Sequence, residues 1–455
     1  MKSIIQKSFE EYNKKIIKLS ERSLSDLEQV AIVSASHKIY QPRFNSQKLV
    51  DIKRINLINI FRLSRDTIYI FLSIPGLVKL FFSSNLSIIW SNDFYDSKTK
   101  GDFRLGNLYH NANKESLSFL ELISTSNSGF IVSLKNFFKR KRPVIFFDAF
   151  VRVINFFTKF KVDLKNFKNF NLYHQEIIYQ NILNIKATKL FLEKICNPNK
   201  IKNVFIWEIN AKTSGIFYWA KLNSIKTIGI MHGISVKEYM YYETMPGLKF
   251  NNHLRVDCFG VWSEFWLDYY SLNSNLYLNY EISGPLREKK ANKQTSGHMI
   301  ILLVEPLLNP NEIIKYSEFM NNNYKNIVLK VRSDFKNEHL QKYYDAIPIL
   351  RRCNVEGGNI DNLLISNKFG FFIATHSTAI QDCLHFGLYP IILSTKTWGN
   401  YLNLDKKFLC NNSSDIDSCL MQKNIDKDEI NVLSKKLAEI GDGSLWVINK
   451  LKENY

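Results

Sequence analysis

Short apolar runs separated by helix-length stretches recur along this chain, and that alternation restricts the fold more than any other feature. In the first half the runs are residues 86–90, 120–123, 144–147, 204–207, 227–231 and 258–261. In the second half they are 299–304, 327–331, 369–374 and 390–393. Strands alternating with helices of this length build parallel sheets covered by helices, so the class expected is α/β. With 455 residues the chain is long enough for two domains with separate cores. Between the two sets of runs lies Arg287-Glu-Lys-Lys-Ala-Asn-Lys-Gln-Thr-Ser-Gly-His298, polar, basic and without periodicity, which reads as a linker.

Hydrophobic residues make up 45% of the chain and aromatic ones 14%, which excludes a disordered protein. The net charge of +19 has two readings. One is a partner rich in negative charge, such as nucleic acid, an anionic membrane surface or a phosphorylated substrate. The other is a coding bias toward Lys, Ile and Asn that spreads charge evenly. Six cysteines without CxxC spacing fit a reducing cytosol and argue against a disulfide framework or a zinc site. Residues 1–22 are charged and amphipathic and lack the apolar core of a signal peptide. The most hydrophobic stretch, 68–90, is interrupted by Pro75, Lys79 and several serines, which argues against a membrane-spanning helix. The expectation is a cytoplasmic protein, soluble or peripheral on the membrane. For the peripheral case the sequence offers Lys139-Arg-Lys-Arg142 after Phe137-Phe138, although a solvated turn before a strand explains the same residues.

Polar residues cluster where apolar runs end. The run 369–374 stops at Thr375-His376-Ser377-Thr378, a helix-length segment follows, and Gly387 and Pro390 lead into the next run. This is a strand, turn, helix, strand unit. Its hydroxyls and helix-start N–H groups suit an anionic group such as a phosphate. Glu208, in Ile206-Trp-Glu-Ile-Asn210, sits at the carboxyl end of an expected strand, where parallel sheets bind ligands. A carboxylate there serves as a general base, grips substrate hydroxyls, or merely satisfies a helix dipole. His232-Gly233 ends the run 227–231, and the glycine lets the backbone turn or approach a ligand. Arg287 closes Ser283-Gly-Pro-Leu-Arg287, Arg332 nears the end of another run, and Glu305 follows 299–304. No GxGxxG fingerprint, P-loop, DxD or HExxH motif accompanies these strands. A dinucleotide oxidoreductase, a P-loop NTPase and a metal-dependent mechanism are thereby disfavoured.

Together Glu208, His232-Gly233, Ser283-Gly-Pro-Leu-Arg287, Thr375-His-Ser-Thr378 and Gly387-x-x-Pro390 resemble bacterial surface-polysaccharide glycosyltransferases of the GT-B type, with two Rossmann-like domains facing across a cleft. The resemblance covers residues 200–400 and extends to Kdo, sialyl and polyol-phosphate transferases of capsule and lipopolysaccharide synthesis. One departure is that Arg332-Ser333 stands where the polysialyl and Kdo enzymes usually carry His-Pro, which weakens a CMP-sugar assignment. The spans expected are a helical extension over 1–60, a first Rossmann-like domain over 61–286, a linker over 287–297 and a second over 298–455, which the resemblance makes the acceptor and donor domains. The resemblance implies transfer of a sugar from a nucleotide-activated donor to a cell-surface polysaccharide or glycolipid, without metal or cofactor and without nucleic acid as a partner. Thr375, His376, Ser377 and Thr378 would hold the donor phosphate, Arg332 and Arg287 would neutralise the leaving nucleotide, and His232 or Glu208 would accept the acceptor proton. The competing expectation is a non-enzymatic nucleic-acid or membrane binder, which predicts basic residues gathered on one face.

Overall fold

A computed structural model describes residues 4–40, 56–93, 95–97, 99–125, 129–231, 233, 245, 248–286, 297–305, 308–331, 337–358, 360–366, 368–377, 379–399, 404–421, 427–439 and 441–453. Each apolar run named above marks a strand, several of them overrunning its end by one or two residues. In the first half, helices α1 (Ile4–Ser20), α2 (Asp26–Tyr40), α3 (Asn56–Leu72) and α4 (Ile74–Phe82) precede β1 (Leu86–Asn92). There follow α5 (Leu108–Lys114), β2 (Phe119–Ser124), α6 (Phe130–Arg140), β3 (Val144–Phe146), α7 (Phe147–Phe157), α8 (Leu172–Ile195), β4 (Ile201–Phe205), α9 (Ser214–Leu222), β5 (Lys226–Ile230), β6 (Val256–Val261) and β7 (Tyr277–Ile282). The second half contributes β8 (Met299–Leu303), β9 (Ile327–Lys330), β10 (Asn354–Glu356), β11 (Phe369–Ala374), β12 (Tyr389–Leu393) and β13 (Leu409–Cys410).

These strands form two all-parallel sheets, ordered β3-β2-β1-β4-β5-β6-β7 and β10-β9-β8-β11-β12-β13. Each begins at an inner strand, winds outward, then reverses and winds the other way. That is the 3-2-1-4-5-6 order of a Rossmann-like domain, repeated twice. Its ligand-binding crevice lies at the carboxyl ends of the strands where the winding reverses, between β1 and β4 and between β8 and β11. Strands β1, β2 and β12 are buried along their whole length, because helices cover both faces.

The free edge of the first sheet is closed by a helix pair. Ser73, between α3 and α4, accepts a hydrogen bond from the Phe146 backbone N–H at 2.9 Å, supplying the partner that the edge strand β3 lacks. Gly76 lets α4 press on β3, since a Cβ there would stand 2.4 Å from the Val144 carbonyl oxygen. The hydrophobic stretch 68–90 thus spans the end of α3, α4 and most of β1. Among the described residues no helix is long and apolar enough to cross a membrane.

The chain passes twice between the halves. Ser283-Gly284-Pro285 leads out of the first sheet, and the last helix, Gly443–Lys452, returns to it. The returning helix packs across β4, β5 and β6, and its end is held where Asn203 Nδ2 donates to the Leu451 carbonyl at 2.8 Å. The expected spans group this helix with the second sheet, but its packing is on the first. The helix before it, Lys427–Leu437, packs on Ala379–His385 of the second half, while Trp266 Nε1 of the first half donates to its Leu437 carbonyl at 2.6 Å.

Candidate functional site

The reversal point of the first sheet gathers an ionisable cluster. Asp93, just past β1, is buried and accepts a hydrogen bond from Ser133 of α6 at 2.6 Å. Asp102, also buried, receives the Asn92 backbone N–H at 3.1 Å and two Arg104 guanidinium bonds at 2.8 and 3.0 Å. That guanidinium stacks over Trp207 at the end of β4, 4.6 Å from the ring centre. Lys212, before α9, reaches across the winding reversal and donates to the Asn92 side-chain oxygen at 3.2 Å. Burial pushes its ammonium below the ordinary lysine range, while Asp148 and Asp93 oppose that shift.

Glu208 stands at the mouth of this cluster, half-buried, on the turn between β4 and α9. Thr213 fixes the turn by donating to the Glu208 carbonyl at 2.5 Å, and Asn210 Nδ2 approaches the carboxylate at 3.4 Å. A half-buried carboxylate at this strand end is equipped to accept a proton from, or hydrogen-bond to, a hydroxyl-bearing ligand.

The reversal point of the second sheet carries a different set. His376, past β11, lies flat on Trp398, with ring centroids 3.6 Å apart and planes at 15°. Its Nδ1 shares a hydrogen bond with Thr375 Oγ1 at 2.9 Å, and its Nε2 stands 4.0 Å from a Glu305 carboxylate oxygen past β8. Tyr343 pins the Glu305 backbone from both sides, its hydroxyl accepting from the N–H at 3.1 Å and donating to the carbonyl at 2.9 Å. Thr375, His376 and Glu305 are all buried. An imidazole held this way presents its edge in one orientation.

The structure therefore brings together Glu305, Thr375 and His376 of the expected residues. It spends the Thr375 hydroxyl on His376, and Ser377 Oγ accepts from the Ala379 N–H at 3.3 Å, starting the short helix Ala379–His385. That helix ends at Gly387, whose φ of +75° is the left-handed conformation glycine adopts at helix ends. Gly233 is buried beyond β5. His232, Arg287, Arg332 and Thr378 lie outside the described residues.

Sequence reasoning missed Asp93, Asp102, Arg104, Lys212 and Trp398. Asp93 carried a usable signal, a carboxylate closing an apolar run just as Glu208 does. Asp102 and Arg104 lie at and within the single 3-10 turn Phe103–Leu105 and Trp398 in a turn, where no periodicity points to them.

The basic cluster 139–142 is divided by the fold. Arg140 is buried, donates to the Asn92 carbonyl at 3.0 Å and lies 3.4 Å from Glu121. Arg142 pairs with Glu121 at 2.7 Å and lies over Tyr109, 3.8 Å from the ring centre. Only Lys139 and Lys141 of the four are exposed, so the expected four-charge docking site does not exist as a surface.

No family model and no curated protein matches this sequence. Solved structures share its fold. The UDP complex of Staphylococcus aureus MnaA aligns over 81% of this chain and 96% of its own, with a TM-score of 0.49 and 12% identity. A glycosyltransferase from Rickettsia africae ESF-5 aligns over 82% and 100%, with a TM-score of 0.44 and 10% identity. The calicheamicin glycosyltransferase CalG4 aligns over 82% and 98%, with a TM-score of 0.46 and 8% identity. At these identities the likeness concerns the path of the chain alone. The two all-parallel sheets, each with a Rossmann-like strand order, are the two-domain α/β architecture expected from the sequence.

Proposed function

We propose that this protein is a glycosyltransferase moving a sugar from a nucleotide-activated donor to a cell-surface polysaccharide or glycolipid. The observation that carries this reading is the pairing of two reversal points with unlike chemistry. One has Glu208, half-buried on the turn that follows β4, suited to a hydroxyl that must lose a proton. The other has His376 held between Trp398, Thr375 and Glu305, suited to the charge of a leaving phosphate. In this reading His232 or Glu208 accepts the acceptor proton, and Arg332 and Arg287 assist at the departing nucleotide. The donor domain is the second, and the acceptor is met at the inner face of the cytoplasmic membrane.

The test has two stages. Thermal shift across CMP, CDP, UDP and GDP, with and without Mg²⁺, identifies the nucleotide, because a ligand of the folded state raises apparent stability. The corresponding sugar nucleotides are then incubated with a glycan acceptor. Nucleotide release that depends on acceptor, with a lengthened glycan, is the expected result. Interconversion of the sugar on its nucleotide without transfer would replace the reading with an epimerase, and absence of any nucleotide binding would overturn it.

A further inference from the structure

The helices that close the free edge of the first sheet show solvent the wrong face. A surface helix normally buries its apolar stripe and exposes a polar one. The exposed positions include Phe71 at the end of α3 and, on α4, Ile74, Val78, Phe81 and Phe82, whose spacing puts them on one helix face. Phe71 is 65% exposed, Phe81 62% and Phe82 78%, values that exclude a role in this molecule's own core. The neighbouring α6 repeats the pattern, exposing Ile131, Val132 and Phe138 together with Lys135 and Lys139. The two surfaces belong to one edge, since Tyr69 of α3 packs on Phe130 of α6, ring centroids 5.6 Å apart, and both rest on the small cluster around Phe146.

We propose that this outward face of α3, α4 and α6 docks on an anionic lipid bilayer. Charge selects that occupant. The only carboxylate on the three helices is Asp66, which is buried and takes two hydrogen bonds from Arg152 at 2.7 and 2.8 Å. The exposed charges beside the apolar residues of α6, Lys135, Lys139 and Lys141, are all positive. Aromatic and aliphatic side chains interleaved with lysines suit the boundary between headgroups and acyl chains, where the rings enter and the ammoniums meet lipid phosphates. A second copy of the chain would bring the same positive face against itself, which electrostatics opposes. Docking here stands independently of the transferase reading, and either can fail while the other holds.

The experiment is co-sedimentation of the full chain with vesicles of phosphatidylglycerol and phosphatidylcholine, and with phosphatidylcholine alone. The wild type should pellet with the anionic vesicles and be released progressively by salt. Replacing Lys135, Lys139 and Lys141 by Gln should weaken that partitioning on the order of a hundredfold, at roughly fivefold for each charge near the surface. Replacing Phe71, Phe81 and Phe82 by Ser should abolish it. Both variants should keep the wild-type Tm, since these side chains lie outside the core. A wild type that stays in solution with anionic vesicles overturns the proposal, as does equal binding to neutral vesicles that the lysine variant retains. A dimer in sedimentation equilibrium that the Phe→Ser variant dissociates, with no vesicle binding, would assign the face to a second copy instead.

Discussion

Trp398 and His376 are stacked face to face, 3.6 Å between ring centres, although a strand and a helix separate them in sequence. The indole fixes the plane of the imidazole, while Thr375 and Glu305 approach its two nitrogens. If His376 contacts the donor phosphate, His376→Ala should weaken nucleotide binding by about 1.5–3 kcal/mol, the range for a hydrogen bond to a charged group. Trp398→Leu should cost less, about 0.5–1.5 kcal/mol, because it releases the ring without removing it. Titration calorimetry with the nucleotide found by thermal shift checks both. Affinity unchanged in a folded His376→Ala protein would make this pair architectural.

Turnover should separate from binding in the first domain. His232→Ala or Glu208→Gln is expected to lower kcat by roughly two to four orders of magnitude if either residue is the base. Nucleotide affinity should change little. The double variant should lose far less than the product of the single effects if the two act as a unit. Near-normal turnover in His232→Ala would move the proton-accepting role to Glu208.

Acid should probe the buried ion cluster at Glu121. Burial disfavours its ionised form, but the Arg142 and Arg140 guanidiniums and the Ser91 and Tyr109 hydroxyls outweigh burial and hold the carboxyl down at about 2. A folded-state value below the unfolded one means that the stabilisation is fully present above the unfolded carboxylate value of about 4.3. It is lost as pH falls from there through about 2. Tm of the wild type should therefore fall across that window, and Glu121→Gln should flatten the fall. At neutral pH the same substitution should destabilise by about 3–5 kcal/mol, because it leaves buried guanidiniums unpaired. Equal Tm of variant and wild type at pH 7 would refute the account.

The chain crossing between the halves predicts sensitivity at Gly443. A Cβ at that position would stand 2.5 Å from the Gly284 carbonyl oxygen and 2.8 Å from that of Pro285, backbone atoms that cannot swing aside. Gly284 itself adopts φ +69°, and the Gly443 N–H donates to the Pro285 carbonyl at 2.9 Å. Gly443→Ala should cost about 1–3 kcal/mol, as overpacking does. Urea unfolding measures it, and a cost below half of the lower figure would show that the two strands of chain can part.

Much of the fold was legible because an apolar strand buried on both faces leaves an uninterrupted run in the sequence. The strands that escaped notice are those for which burial fails. β10 is exposed at all its residues, β7 at a sheet edge is exposed at half of its residues, and β13 has only two residues. Glu208, Glu305 and Thr375–His376 could be found because each interrupts an apolar run at its end, the carboxyl edge of a parallel strand. What the sequence by itself determined is this local grammar, in which strand, polar end and helix follow one another. Which polar ends meet was decided only by the order of strands in the sheet, since β8 lies beside β11 and β1 beside β4 across long stretches of chain. The same limit governs charge. Composition shows four consecutive basic residues at 139–142, but the turn of α6 and its packing on β1 and β2 send Arg140 inward to Glu121 and leave Lys139 in water. Sequence fixes the number of charges, and only the tertiary packing decides which of them face solvent.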